Sequence, residues 1–129
     1  MDAELRAWLE EFAQHVRDVD FDAARPQFAP DVIGFGTYSA VLVGLDDLVK
    51  NQWMNIWPVT SGFRFRVDEM RYAASGDIAW IACPWDSNGK AADGRAFPRP
   101  GRATIGLRRG PGGRWLATHT HLSLYPRPS

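Results

Sequence analysis

The sequence predicts an α+β protein in which helices come first and a curled antiparallel sheet follows, enclosing a pocket. Three observations carry that prediction. Apolar side chains recur at helical spacing near the start and again around residue 50, and from Phe63 onward they alternate with polar ones as in half-buried strands. The alternation then slips by one residue before Met70 and Tyr72, as a β-bulge would make it, and bulges bend sheets.

In the first helix Leu5, Trp8, Leu9, Phe12, Ala13 and Val16 form one stripe, with Asp2 as its expected N-cap. Asp20 opens a second helix through Phe21, Ala24 and Phe28, kept short by Pro26. Residues 32–35 read as a first strand, and 38–43 as its hairpin partner. Gly34 and Gly36 mark a bend or a close approach by another group. Leu45, Leu48, Val49, Trp53, Ile56 and Trp57 make the stripe of a third helix, which Pro58 stops. Residues 63–67, 78–85, 102–109 and 114–125 are the long strands, and residues 86–101 are the longest expected loop. The Pro-rich end, 126–129, is expected to fray.

The chain has 129 residues, which suits one domain spanning 1–129 around one core. Its 15 basic and 15 acidic side chains cancel, so the basic excess of a nucleic-acid binder is missing. No apolar run of ~18 residues is present to span a bilayer. Cys83 is the only cysteine, so no disulfide forms within the chain. The acidic, amphipathic start is unlike a signal peptide, and a cytoplasmic location is expected.

Helices one and two, a hairpin, helix three and four long strands follow the order of the nuclear transport factor 2-like (cystatin-like) cone. Asp20-Phe21-Asp22, Phe28-Ala29-Pro30-Asp31 and Gly44-Leu45-Asp46-Asp47-Leu48 resemble that superfamily's junctions. Arg102-Ala103-Thr104-Ile105, Gly113-Arg114-Trp115-Leu116-Ala117 and His119-Thr120-His121-Leu122-Ser123 resemble the final hairpin of SnoaL-like domains. The association domain of calcium/calmodulin-dependent kinase ends on a similar strand. The resemblance implies the fold far more than the function, because this fold hosts isomerases, dehydratases, hydrolases and non-catalytic hubs. Ketosteroid isomerases place a catalytic Asp where this chain has Gly36, and an oxyanion-hole Tyr near Phe12. That chemistry is therefore excluded.

Strand alternation puts Trp115, Ala117, His119, His121 and Ser123 on one face. A turn pairing Arg109 with Arg114 would set Thr104 opposite His119 and Arg102 opposite His121. Such a cluster can hold a carboxylate or enolate-like oxygen, because guanidinium donates in a fork and imidazole both donates and accepts. It can equally consist of polar groups satisfying one another. A metal site is not expected, since two histidines supply half of a zinc shell and no third ligand is visible. Periodicity alone favours burying the opposite, leucine-bearing face (Ala103, Ile105, Leu107, Leu116, Leu122, Leu124), whereas the resemblance turns the His face inward and leaves the other for a dimer contact.

The working expectation is a small-molecule pocket for an apolar or aromatic carbonyl or carboxylate compound. Its wall would be Phe12, Trp53 and Trp57, with Trp80 and Tyr38 nearby. Arg102, Thr104, His119, His121 and Ser123 would form its polar end. Trp80 and Trp85 have opposite parity, so one of them faces out. His119 and His121 are the candidate acid–base pair if a reaction occurs, and it would be cofactor-free isomerisation, dehydration or hydrolysis. The other reading is a non-catalytic dimerisation or hub domain. Asp31 is expected to accept backbone bonds and Glu69 to turn inward toward a histidine. Cys83, with no basic neighbour in sequence, is not expected to act as a nucleophile.

Overall fold

The first apolar stripe folds as α1 (Asp2–Asp18), which buries all six residues of the stripe. Asp2 lies inside the helix rather than capping it, and it pairs with Arg6 at 3.4 Å across one turn. These features come from a computed structural model that describes residues 1–126; Arg127 to Ser129, most of the Pro-rich end, lie outside the described residues. Asp20 does cap α2 (Phe21–Ala24), accepting the Ala23 amide at 3.1 Å, and Pro26 confines the continuation to a single 3-10 turn.

β1 (Phe28–Phe35) begins four residues earlier than the alternation suggested. Its hairpin partner shrinks to β2 (Leu42–Val43). Helix three is composite: α3 (Leu45–Leu48), a π-helical turn at Val49–Trp53, then α4 (Met54–Ile56). β3 (Thr60–Phe65) follows, and the parity slip is a 3-10 turn at Val67–Glu69 before β4 (Arg71–Ser75). β5 (Ile78–Lys90) runs 13 residues, well past Trp85. The supposed loop therefore contains a hairpin, because β6 (Ala96–Pro98) returns along β5 with Gly89 opposite Phe97. β7 (Gly101–Arg109) and β8 (Trp115–Leu124) complete the chain.

The strands form one curved, unclosed sheet in the order β2-β1-β8-β7-β5-β3, with β4 and β6 on β5. Every pair is antiparallel except β1 with β8, where the first strand lies parallel against the last. The concave face and α1 share an aromatic core: Phe12 packs against Phe28, Trp53, Trp57 and Phe65 at 5.2–6.4 Å between rings. Each such ring buries a large apolar area, so this contact set supplies much of what holds the helices to the sheet.

Candidate functional site: an apolar cavity with unpartnered polar groups

The decisive feature is in β8. The register pairs Arg109 with Trp115, Arg108 with Leu116 and Leu107 with Ala117, then steps to Gly106 with His119. Thr118 is the extra residue, a bulge that carries the strand past one position without a partner. Because side chains alternate with period two, one inserted residue exchanges the faces of everything beyond it. Trp115 and Ala117 are buried as expected, but beyond the bulge Thr120 and Leu122 point inward and His119, His121 and Ser123 point out.

The expected imidazole cluster consequently lies on the convex face. His121 is exposed and pairs with Thr104, not Arg102. Arg102 pairs with Ser123 and donates from Nε to its Oγ at 3.2 Å, also at the surface. His119 Nδ1 lies 2.8 Å from the Ile33 carbonyl, and the Phe35 ring packs edge-on against both imidazoles at 4.9 and 5.2 Å. Trp80, without a bulge in its part of β5, is 46% exposed on that same convex side. Arg102, Thr104, His119, His121, Ser123 and Trp80 are thus absent from the cavity lining.

Two further expectations change. Asp31 meets Arg108 at 3.4 Å near the surface instead of accepting backbone bonds, and Glu69 stays exposed beside Arg66 at 3.6 Å. Cys83 is buried; desolvation pushes its thiol up to about 11, and its Sγ sits 3.3 Å from the Arg66 carbonyl. Among the described residues no group of three or more His, Cys, Asp or Glu gathers where a metal could bind. No helix among them is long and apolar enough to cross a membrane.

The cavity itself lies between the helices and the concave face. Phe12, Trp53 and Trp57 wall it as expected, joined by Val16, Phe28, Ile56, Phe63 and Leu122. Trp53 and Trp57 stack at 4.6 Å and 18°, making one flat surface from two indoles. The envelope, open mouth included, is about 560 Å³, of which about 40 Å³ admits the centres of water molecules. It is narrow in this conformation.

Its polar groups are Thr37, Gln52, Thr60, Trp85, Arg99 and Thr120. Five buried side-chain polar atoms among the described residues have no hydrogen-bond partner, and three of them belong to residues of this lining: Gln52 Nε2, Trp85 Nε1 and Thr120 Oγ1. The other two, Trp8 Nε1 and Gln27 Oε1, lie elsewhere. Buried polar groups are nearly always paired with protein or ordered water, so three such atoms on residues of one lining stand out. The π-helical turn is what brings Gln52 inward beside Trp53: it widens the helix so that consecutive residues share the buried face.

Gly34 and Gly36 explain themselves here. A Cβ on Gly34 would come within 2.6 Å of Leu48 and 3.2 Å of the Thr120 hydroxyl, and one on Gly36 would collide with the Gln52 amide. Both glycines admit helix three and its polar side chain against β1. Gly36 and Phe12 do line the cavity, at the positions where a base and a phenol are lacking.

Among the described residues Arg99 is the only charged one in the lining, and it is 7% exposed. Its backbone is pinned twice: its amide donates to the Ser87 carbonyl at 2.8 Å, and the Ser87 hydroxyl donates to its carbonyl at 2.6 Å. An NH2 nitrogen donates to Thr37 Oγ1 at 2.7 Å, and the guanidinium carbon stands 5.8 Å from the Trp85 ring and 5.7 Å from that of Tyr38. Tyr38, 79% exposed, borders the outer recess that shares Ile56, Thr60 and Arg99 with the cavity. Tyr38 itself is absent from the cavity lining.

Arg99 and Gln52 were not anticipated. Arg99 follows β6 and is placed by its bonds to Ser87 of β5, which a loop reading of residues 86–101 does not provide, though a lone arginine between Pro98 and Pro100 was visible. Gln52 had a signal too, as a polar residue three and four positions after Val49 and Leu48, on the apolar stripe of its helix.

Solved structures with this fold are numerous. A nuclear transport factor 2 (NTF2-like) superfamily protein from Salmonella enterica is 15% identical, with 99% of this chain and 93% of that one covered and a TM-score of 0.83. A ketosteroid isomerase-like protein from Erwinia carotovora atroseptica is 17% identical over 97% and 96%, TM-score 0.78. An NTF2-like protein of unknown function from Pseudomonas putida is 27% identical over 95% and 84%, TM-score 0.75. No curated protein sequence matches. The SnoaL-like domain family model matches residues 5–128, and the chain belongs to that family.

Proposed function

We propose that the protein binds a small, mainly aromatic molecule carrying an oxygen acceptor, a carbonyl or a carboxylate, within the cavity behind Trp53 and Trp57. One observation carries this reading: Gln52, Trp85 and Thr120 bring buried, unpartnered polar atoms to the lining of one apolar space. Ligand pockets are typically apolar with a few placed polar groups; the space open to water centres here is only about 40 Å³, so a ligand enters when lining side chains move apart. Binding without chemistry is favoured over catalysis. Among the described residues, no carboxylate, imidazole, thiol, amine or phenol lines the cavity, so a general acid or base has no carrier there. The isomerase-like name of one structural neighbour does not outweigh that.

The test is a thermal-shift and tryptophan-fluorescence screen of aromatic acids and ketones on wild type, His121→Ala and Leu122→Trp. Wild type and His121→Ala should respond alike, while Leu122→Trp, which fills the cavity, should not respond. A panel to which wild type is indifferent, or a response abolished by His121→Ala, would sink the reading.

A homodimer through the convex face forms part of the proposal. Ile33, Val43, Ile78 and Trp80 are exposed there around Phe35, and patches of that kind mark association surfaces. Trp80→Glu should lower the sedimentation-derived mass to that of one chain; a wild type that is already monomeric would remove this part alone. The single cysteine suits a reducing compartment, and we place the protein in the cytoplasm.

A further inference from the structure

Resting on that reading, we propose that the ligand is an anion, an aromatic monocarboxylate whose carboxylate occupies the end of the cavity formed by Arg99, Thr37 and Gln52. The first ground is charge. Arg99 is nearly buried, and among the described residues no carboxylate lies within ion-pair distance of it. The other arginines in ion pairs, such as Arg66 on Asp86 at 2.8 Å, sit at the surface with partners of their own. A guanidinium withdrawn from water without a counter-charge is costly, and a bound anion removes that cost.

The second ground is the direction of the hydrogen bonds. Arginine and indole N–H groups can only donate. Thr37 Oγ1 already accepts from Arg99, which leaves its own proton to donate. Gln52 adds an unpartnered amide nitrogen. A ketone oxygen offers two lone pairs and no charge, whereas a carboxylate offers about four acceptor sites and a negative charge. The inventory fits the latter.

The third ground is placement. The donors are strung along one edge of the first strand and its continuation. Thr120 Oγ1 lies beside Gly34, the Gln52 amide beside Gly36, and the Arg99 guanidinium on Thr37, the next residue. Gly36 and Thr37 are adjacent, and Gln52 and Arg99, which stand beside them, both line the cavity. Thr120 is two residues back, roughly 7 Å along the strand, with its hydroxyl against Gly34, and so stands apart from the carboxylate end. Ser87 fixes the Arg99 backbone and Thr37 Oγ1 accepts from its guanidinium, so the head group is partly ordered before any ligand arrives, which favours affinity.

Isothermal titration with phenylacetate and 2-naphthoate, each beside its primary amide, tests the charge while holding the ring constant. Wild type should bind the better acid at least ~10-fold more tightly than its amide, since charge-assisted bonds are about twice as strong as neutral ones. Arg99→Met should erase that preference by weakening the acid and leaving the amide unchanged. Arg99→Lys should keep part of it. Equal affinity of acid and amide in wild type, or a preference that survives in Arg99→Met, overturns the anion assignment and leaves the cavity standing. Failure of all four compounds to bind overturns both. Should Arg99→Met not fold, the acid-to-amide ratio in wild type decides alone.

Discussion

Thr120→Val should make the protein more stable, and the reason is the site itself. The Thr120 hydroxyl is buried, lacks a partner and faces the backbone at Gly34, with Leu48 beyond. An unpartnered buried hydroxyl costs about 1–3 kcal/mol of desolvation. Valine has nearly the same shape and no polar group, so the substitution recovers that cost, less a small penalty for a methyl group against Leu48. A net gain of about 1 kcal/mol is expected, which for a chain of this length raises Tm by roughly 3–5 °C. Urea unfolding followed by tryptophan fluorescence should show a higher midpoint with unchanged slope. The neighbouring His121→Ala, on the convex surface, should stay within about 0.5 kcal/mol of wild type. A Thr120→Val variant destabilised by about 1 kcal/mol or more would refute the reasoning, because the hydroxyl would then be making bonds in the native state.

Three other outcomes follow from the same geometry. Gly101→Ala should destabilise by about 2–3 kcal/mol in urea unfolding, since the new methyl would run into the Trp85 indole and the Ser123 carbonyl; a neutral result would show that β7 and Trp85 have room to separate. Asp86 is held below the usual carboxylate range, first by its hydrogen bonds from Arg66, with Arg64 contributing further. Its contribution is therefore present above its unfolded pKa of ~3.9 and is lost as pH falls through the lower folded value. The gap in urea midpoint between wild type and Asp86→Asn should close on acidification across that window, and a gap that widens would reverse the sign. The Cys83 thiol, raised to about 11 by burial, should ignore a disulfide reagent at about pH 8 in the native protein and react once urea unfolds it. Rapid native labelling would contradict its burial.

How far the sequence could be read depended on whether local chemistry broke its own symmetry. The stripe of α1 has one apolar side, so its burial was legible residue by residue. The Trp53–Trp57 pair was legible for the same reason, and its stacking on the cavity follows from i, i+4 spacing. In β8 the run Thr118-His119-Thr120-His121 is polar on both parities, so neither face announced itself. Leucine periodicity held along β7, where Ala103, Ile105 and Leu107 are buried, and the inward turn implied by the resemblance held only for the start of β8. Trp115 and Ala117 face in before the bulge, Leu122 after it, and Leu124 is exposed. A bulge is a feature of pairing between strands and leaves little mark within one of them.

The polar end of the site was hidden by a second error of the same kind. Pro, Gly, Asn and Asp between 86 and 101 read as loop, yet β5 runs on through Asp86, Ser87, Asn88 and Gly89 because β6 offers it a partner. Gly89 itself is required, since the Phe97 ring occupies the place of its side chain. With that hairpin unseen, Arg99 had no strand to orient it. The π-helical turn that exposes Gln52 to the cavity likewise depends on tertiary packing against β1, where Gly36 makes the space.

The inward turn of Thr120 and Leu122 is best tested by intermolecular nuclear Overhauser effects with an aromatic acid from the panel bound. The account predicts contacts from the ligand ring to the Leu122 and Ile56 methyl groups and to the Trp53 and Trp57 indoles, and none to His119 or His121. Ring-to-imidazole contacts with silent Leu122 methyls would place the ligand on the other side of the sheet and contradict it.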